Sequence, residues 1–144
     1  MALHSTGGGY NSYKTNEVST SSPIRLVIML YEGAIRFLNI ALDNIHDQKK
    51  YDVVNTNIIK AQEIINELMT TLNMDEGGKI ASDLLGIYVF MKKNLIEANI
   101  EKSGQKIRET IKLLNNLKTG WEEIEKKQDS SPDLPKAGGL SIQS

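Results

Sequence analysis

The chain has 144 residues, of which 40% are hydrophobic and 24% are charged, and its formal net charge is -1. This length and composition are typical of one globular domain that can bury a substantial core. The balanced charge argues against a nucleic-acid-binding protein, because such proteins usually carry an excess of basic residues. The sequence contains no cysteine, which excludes disulfide bonds and thiolate metal ligands.

The amino-terminal region, residues 1–22, is rich in glycine, serine, threonine and asparagine, and we expect it to be a flexible segment. Tyr10, Tyr13 and Val18 place larger side chains within it. The region has neither the basic start nor the apolar stretch of a signal peptide. No apolar run in the chain reaches the length of about 18 residues that suggests a membrane span. We therefore expect a cytoplasmic protein that does not insert into membranes.

Residues 23–127 carry four stretches with helical spacing of apolar residues, and we expect them to form one bundle domain. The first helix is predicted to begin at Ser22-Pro23, a favourable cap followed by a favourable first residue, and to reach about residue 46. The second is predicted over about residues 52–72. The apolar face of the second helix consists of Val54, Ile58, Ala61, Ile65, Leu68 and Leu72.

The third helix is predicted over about residues 79–102, after a turn at Gly77-Gly78, and the fourth is predicted to end near residue 127. The predicted core face of the third helix consists of Ile80, Leu84, Ile87, Tyr88, Met91, Leu95 and Ala98. That of the fourth helix consists of Ile107, Ile111, Leu114, Leu117, Trp121 and Ile124.

The short connections between these helices require neighbouring helices to run antiparallel. No stretch alternates with a period of two for long enough to suggest a sheet. The sequence thus predicts an all-α fold, an antiparallel up-down four-helix bundle. Residues 128–144, with Pro132, Pro135 and Gly138-Gly139, are predicted to be a disordered tail.

The third helix carries more apolar residues than a bundle helix needs for one core-facing stripe. Leu85, Val89, Ile96 and Ile100 form a second stripe, roughly a third of a turn from the first. Met29 and Ile40 similarly lie outside the main apolar arc of the first helix. Each of these side chains could pack against a neighbouring helix, but contiguous apolar surface also tends to mark an interaction site.

The free energy available from the second stripe limits how a partner could bind. Burying four such side chains contributes at most about 6–12 kcal/mol. Ordering a disordered partner costs about 2–5 kcal/mol or more, and association costs several more. One stripe would therefore hold a disordered partner weakly, and a durable complex requires a partner that wraps over several helices.

The sequence offers no catalytic motif, and we expect a protein that is not an enzyme and has neither a cofactor nor a metal. His4 and His46 are its only histidines, and neither follows a glutamate at the spacing used in di-iron bundles. The adjacent carboxylates of Glu122 and Glu123 are expected on the polar face of the last helix. No phosphate-binding loop or nucleophile elbow occurs.

The first predicted helix resembles the first-helix signature of the FliS family, the flagellar export chaperones for flagellin. The resemblance rests on Ser22-Pro23 followed by the run from Leu26 to Leu38. It continues through residues 64–68, through Gly77-Gly78-Lys79-Ile80, and through residues 84–91, 95–99 and Trp121. Tyr13 and Val18 resemble a tyrosine and a small apolar residue that this family carries before its first helix.

The resemblance implies a cytosolic chaperone that binds the disordered C-terminal segment of flagellin and prevents its premature polymerisation. It also implies docking on the cytosolic part of the flagellar export gate, through the N-terminal segment. We expect the client to bind at Leu85, Val89, Ile96 and Ile100, with contributions from Met29 and Ile40. Tyr10, Tyr13 and Val18 are expected to cover apolar surface in the free protein and to move aside on binding.

Two other functions are compatible with the residues. The second stripe could form a homodimer of a structural or adaptor protein, whereas a chaperone of this kind is expected to be monomeric when free. An enzyme is the remaining class and has the least support. Sedimentation of the free protein distinguishes the chaperone from the dimer.

Overall fold

The computed structural model describes residues 22–129, which form four α-helices and one short 3-10 helix, with no strand among them. Helix α1 spans Pro23–Asn44, α2 spans Tyr51–Thr70, α3 spans Met74–Glu101 and α4 spans Gly104–Asp129. The 3-10 helix Gln48–Lys50 joins α1 to α2. None of these helices is both long enough and apolar enough to cross a bilayer.

The bundle is antiparallel, as the sequence predicted. Helix α1 packs against α2 and α4, and α3 also packs against α2 and α4, so α1 and α3 occupy diagonally opposite corners. Helix α4 continues through Asp129, two residues beyond the predicted boundary at residue 127.

Side-chain caps mark the starts of α1 and α3. The Ser22 hydroxyl accepts a hydrogen bond from the backbone N–H of Arg25 at 3.1 Å, and Pro23 occupies the first turn of α1. The Asn73 side chain likewise accepts from the backbone N–H of Glu76 at 3.0 Å and starts α3. Both caps satisfy backbone donors that a helix start leaves unpaired.

The start of α3 differs from the prediction, which placed residues 73–78 in a loop. One helical turn already forms after Asn73, and the break falls at Gly78, whose backbone has φ 53° and ψ -128°. Glycine can adopt this positive φ because it has no Cβ. The Gly77-Gly78 pair therefore separates one helical turn, which was not predicted, from the long part of α3, which begins after Gly78 as predicted.

The core is mainly aliphatic, but its centre contains a hydrogen-bonded aromatic group. The hydroxyls of Tyr31 and Tyr88 share a hydrogen bond of 2.5 Å between α1 and α3, and both side chains are fully buried. The half-buried Trp121 donates its indole N–H to the Tyr31 hydroxyl at 3.0 Å. Three helices are thus joined through one oxygen atom.

Two predicted core residues lie largely outside the core. Ile80 is 73% exposed and Ile124 is 44% exposed, although each continues the apolar face of its helix. Both lie near the end of the bundle where α1 begins and α4 ends, so fewer neighbouring helical turns are available to cover them.

Candidate protein-binding surface

The second stripe of the third helix lies on the outer side of α3 and is largely accessible. Val89 and Ile96 are each 51% exposed, Ile100 is 78% exposed, and Leu85 is half-buried. At 100° per residue, the four residues fall within an arc of about 60° along about 22 Å of helix. We call Leu85, Val89, Ile96 and Ile100 the α3 stripe.

Helix α2 extends this apolar surface through Ile59, which is also exposed. The side chain of Asn99 donates a hydrogen bond of 2.6 Å to that of Asn55, which fixes the register between α3 and α2. Because the helices are antiparallel, Ile59, one turn after Asn55, lies level with the turn of α3 that contains Ile96. The α3 stripe therefore borders a groove between α2 and α3.

Phe90 adds a large aromatic side chain on the other flank of α3, where it is half exposed. It lies about 100° around the helix from Val89, on the side that faces α4. Neither Phe90 nor Ile59 was predicted as a site residue, because each directly adjoins a core residue and fits the expected packing of a bundle helix.

Met29 and Ile40 lie on a separate surface. Met29 is half-buried and Ile40 is exposed, and their spacing aligns them within about 20° on the outer side of α1. Since α1 and α3 are diagonal neighbours, their outer sides face opposite directions. The fold thus does not join these two residues to the α3 stripe, and only an extended partner could contact both.

Charged groups give the α3 stripe a basic centre. Lys92 and Lys93 occupy the turn between Val89 and Ile96, one on each side of the stripe. The neighbouring Glu97 interacts electrostatically with Lys93, and its carboxylate accepts a hydrogen bond of 2.7 Å from the Lys106 ammonium of α4. That contact lowers the pKa of Glu97 below its ordinary value and keeps the carboxylate charged.

Asn94 holds the opposite side of this turn in place. Its buried side-chain amide donates to the Lys106 backbone carbonyl at 3.1 Å, and to the Glu109 carboxylate and the Thr110 hydroxyl at 3.3 Å. Buried polar groups of this kind fix the position of one helix against another. The α3 stripe is therefore carried by a helix that is anchored to α4 behind it.

The described residues hold no clustered metal ligands, and the two tyrosines at the centre of the bundle are buried. Within residues 22–129, no group of three or more histidine, cysteine, aspartate or glutamate side chains is placed to hold a metal ion. Burial raises the pKa of both Tyr31 and Tyr88, so neither hydroxyl is poised to ionise near neutral pH. Tyr10, Tyr13 and Val18, predicted to contribute to the partner-binding surface, lie outside the described residues.

Comparison with known proteins identifies the fold and the family together. Residues 6–128 match the family model described as "Flagellar protein FliS". The flagellar secretion chaperone FliS of Bacillus subtilis is 30% identical over 132 residues, covering 92% of this chain and 96% of the relative. That of Campylobacter jejuni is 34% identical over 119 residues, covering 80% and 89%.

A solved structure described as a flagellar chaperone from bacteria has the same fold. It superposes with a TM-score of 0.68 at 22% sequence identity, covering 83% of this chain and 97% of that one. With the family match extending over all four helices, the chain belongs to the FliS family of flagellar secretion chaperones.

Proposed function

We propose that this protein acts in the bacterial cytoplasm as an export chaperone for flagellin. In this proposal it binds the disordered C-terminal segment of flagellin, prevents premature polymerisation, and delivers the subunit to the cytosolic part of the export gate. Family membership and the exposed α3 stripe support it. The stripe is the observation on which the proposal depends, because the bundle leaves it uncovered.

The exposed area of the α3 stripe limits the binding free energy that a client can gain by covering it. Full burial of an aliphatic side chain contributes about 1.5–3 kcal/mol. Val89 and Ile96 are already half covered by the bundle, so a client gains about half of that value from each. The α3 stripe alone thus contributes only a few kcal/mol, and we propose that the client also contacts Met29 and Ile40 on α1.

An amphipathic client helix suits the groove between α2 and α3. Its apolar side chains at intervals of three and four residues would meet the α3 stripe, as in other helix-in-groove complexes. A carboxylate midway along such a helix would meet Lys92 and Lys93. We further propose that Tyr10, Tyr13 and Val18 cover apolar surface before the client binds, and that the N-terminal segment docks on the gate.

The test is a double substitution, Val89→Asp with Ile96→Asp, measured by calorimetry against a peptide from the C-terminus of flagellin. Both side chains are half exposed, so helicity should be retained while binding is lost. The control is Asn115→Asp with Asn116→Asp, at two exposed positions of α4. It adds the same number of carboxylates away from the stripe and should bind at least tenfold more tightly than the Val89→Asp, Ile96→Asp variant. Unchanged binding by the double variant would show that the α3 stripe is not the site.

Sedimentation provides a separate check on the function. We expect the free protein to be a monomer and the complex to contain one copy of it. A stable dimer that dissociates with Val89→Asp and Ile96→Asp would instead assign the stripe to self-association.

A further inference from the structure

Ile80 and Ile124 form an uncovered apolar pair at one end of the bundle. We call them the end pair. Their exposed fractions, 73% and 44%, contrast with those of Leu95 and Leu114, which occupy the same faces of α3 and α4 further in and are fully buried. The end pair is not part of the α3 stripe, because Ile80 lies on the core-facing side of α3.

The hydrogen bonds between α3 and α4 place the two residues at the same level. Asn94 donates to the Thr110 hydroxyl at 3.3 Å, which fixes the antiparallel register of these helices. Ile80 lies fourteen residues before Asn94 on α3, and Ile124 lies fourteen residues after Thr110 on α4. Because the helices are antiparallel, both steps lead to the same end of the bundle. Fourteen residues are nearly four turns, so both side chains return to within about 40° of the contact faces.

No described helix extends far enough to cover the end pair. The Tyr31–Tyr88 hydrogen bond joins α1 to α3, and these two helices run in the same direction. Eight residues before this contact lie Pro23 on α1 and Ile80 on α3. Helix α1 therefore begins at the level of Ile80 and offers no further turn beyond it.

We propose that the C-terminal segment folds back on this end and places Leu134 against Ile80 and Ile124. Helix α4 ends at Asp129, about 7.5 Å beyond Ile124 along its axis. The five residues from Asp129 to Leu134 reach up to about 17 Å, enough to turn and return to the pair.

The sequence after α4 fits such a return. Pro132 lacks a backbone donor and disfavours helical backbone at the residue before it, which favours a departure from the axis of α4. Leu134 is the first large aliphatic residue after Ile124. The adjacent Asp133 is opposite in charge to Lys126 in the last turn of α4. The family match ends at residue 128, so this contact belongs to a segment outside the matched region.

Trp121, the only tryptophan of the chain, lies one turn from Ile124 and reports on this end of the bundle. In the full-length protein, Leu134→Asp should shift the δ1-methyl resonances of Ile80 and Ile124 and increase quenching of Trp121 by acrylamide. The Ile59 methyl, on the α2 and α3 groove, should not shift. Leu140→Asp, an equivalent change further along the segment, should leave all three methyls and the quenching unchanged.

Three results would overturn the proposal. The first is a spectrum of Leu134→Asp in which the Ile80 and Ile124 methyls match those of the unsubstituted protein. The second is a response of these methyls to Val18→Asp but not to Leu134→Asp, which would assign the cover to the N-terminal segment. The third is a shift of the same methyls with protein concentration, which would assign it to a second copy. All three are read without a client and are independent of flagellin binding.

Discussion

The hydrogen bonds among Tyr31, Tyr88 and Trp121 predict unequal losses of stability when each tyrosine is replaced by phenylalanine. The Tyr31 oxygen accepts from Trp121 and shares a hydrogen bond with Tyr88. The Tyr88 hydroxyl has only the bond to Tyr31 among the described residues. Removal of the Tyr31 hydroxyl therefore breaks two hydrogen bonds, and removal of the Tyr88 hydroxyl breaks one.

The expected losses of stability follow from this count. Tyr88→Phe loses one hydrogen bond and should lower the free energy of unfolding by about 0.5–1.5 kcal/mol. Tyr31→Phe loses two and leaves the Tyr88 hydroxyl buried without a partner, so it should cost about 2–4 kcal/mol. The double variant should be no less stable than Tyr31→Phe alone, because it also removes the unpaired hydroxyl.

Urea unfolding followed by far-UV circular dichroism measures these three differences. The circular dichroism spectra before unfolding show whether each variant keeps its helices. Equal losses of the free energy of unfolding in Tyr88→Phe and Tyr31→Phe would refute this assignment of hydrogen bonds. Additive losses in the double variant would also refute it.

Two further predictions concern a backbone break and an ion pair, both read from urea unfolding. Gly78→Ala should lower the free energy of unfolding by about 1–3 kcal/mol, because residues with a Cβ rarely adopt its φ of 53° and ψ of -128°. Gly86→Ala, in the exposed helical part of α3, should instead raise it by about 0.5–1 kcal/mol. Equal effects of the two substitutions would contradict the assigned break. Arg25 donates hydrogen bonds to the Glu125 carboxylate and lowers the pKa of that carboxyl below its ordinary value. The ion pair therefore stabilises the fold above the ordinary pKa, and this stabilisation is lost as the pH falls through the lowered pKa. Glu125→Gln should thus lower the free energy of unfolding by up to about 1 kcal/mol at neutral pH and leave it unchanged in strong acid. Glu123→Gln is the control. A loss of stability that does not depend on pH would contradict the prediction.

The sequence predicted the number, direction and inner faces of the helices because apolar spacing reports directly on helical packing. It predicted the long part of α3 after Gly77-Gly78 but missed the helical turn that precedes this pair. Asn73, with Asp75 and Glu76 after it, is a favourable helix start, and this signal could have revealed the additional turn.

Periodicity could not predict how far each inner face is covered. It assigned Ile80 and Ile124 to the core by their positions around the helix, but coverage depends on where the neighbouring helices begin and end. The α3 stripe was recognised because four residues share one face. Ile59 and Phe90 were missed because an isolated apolar residue beside a core position gives no separate signal.

The central claim is that the protein binds the C-terminal segment of flagellin. Copurification of this chain with full-length flagellin, compared with flagellin that lacks only that segment, tests it most directly. We predict a stoichiometric complex with the full-length subunit and none with the shortened one. Equal recovery of both flagellins would contradict the account.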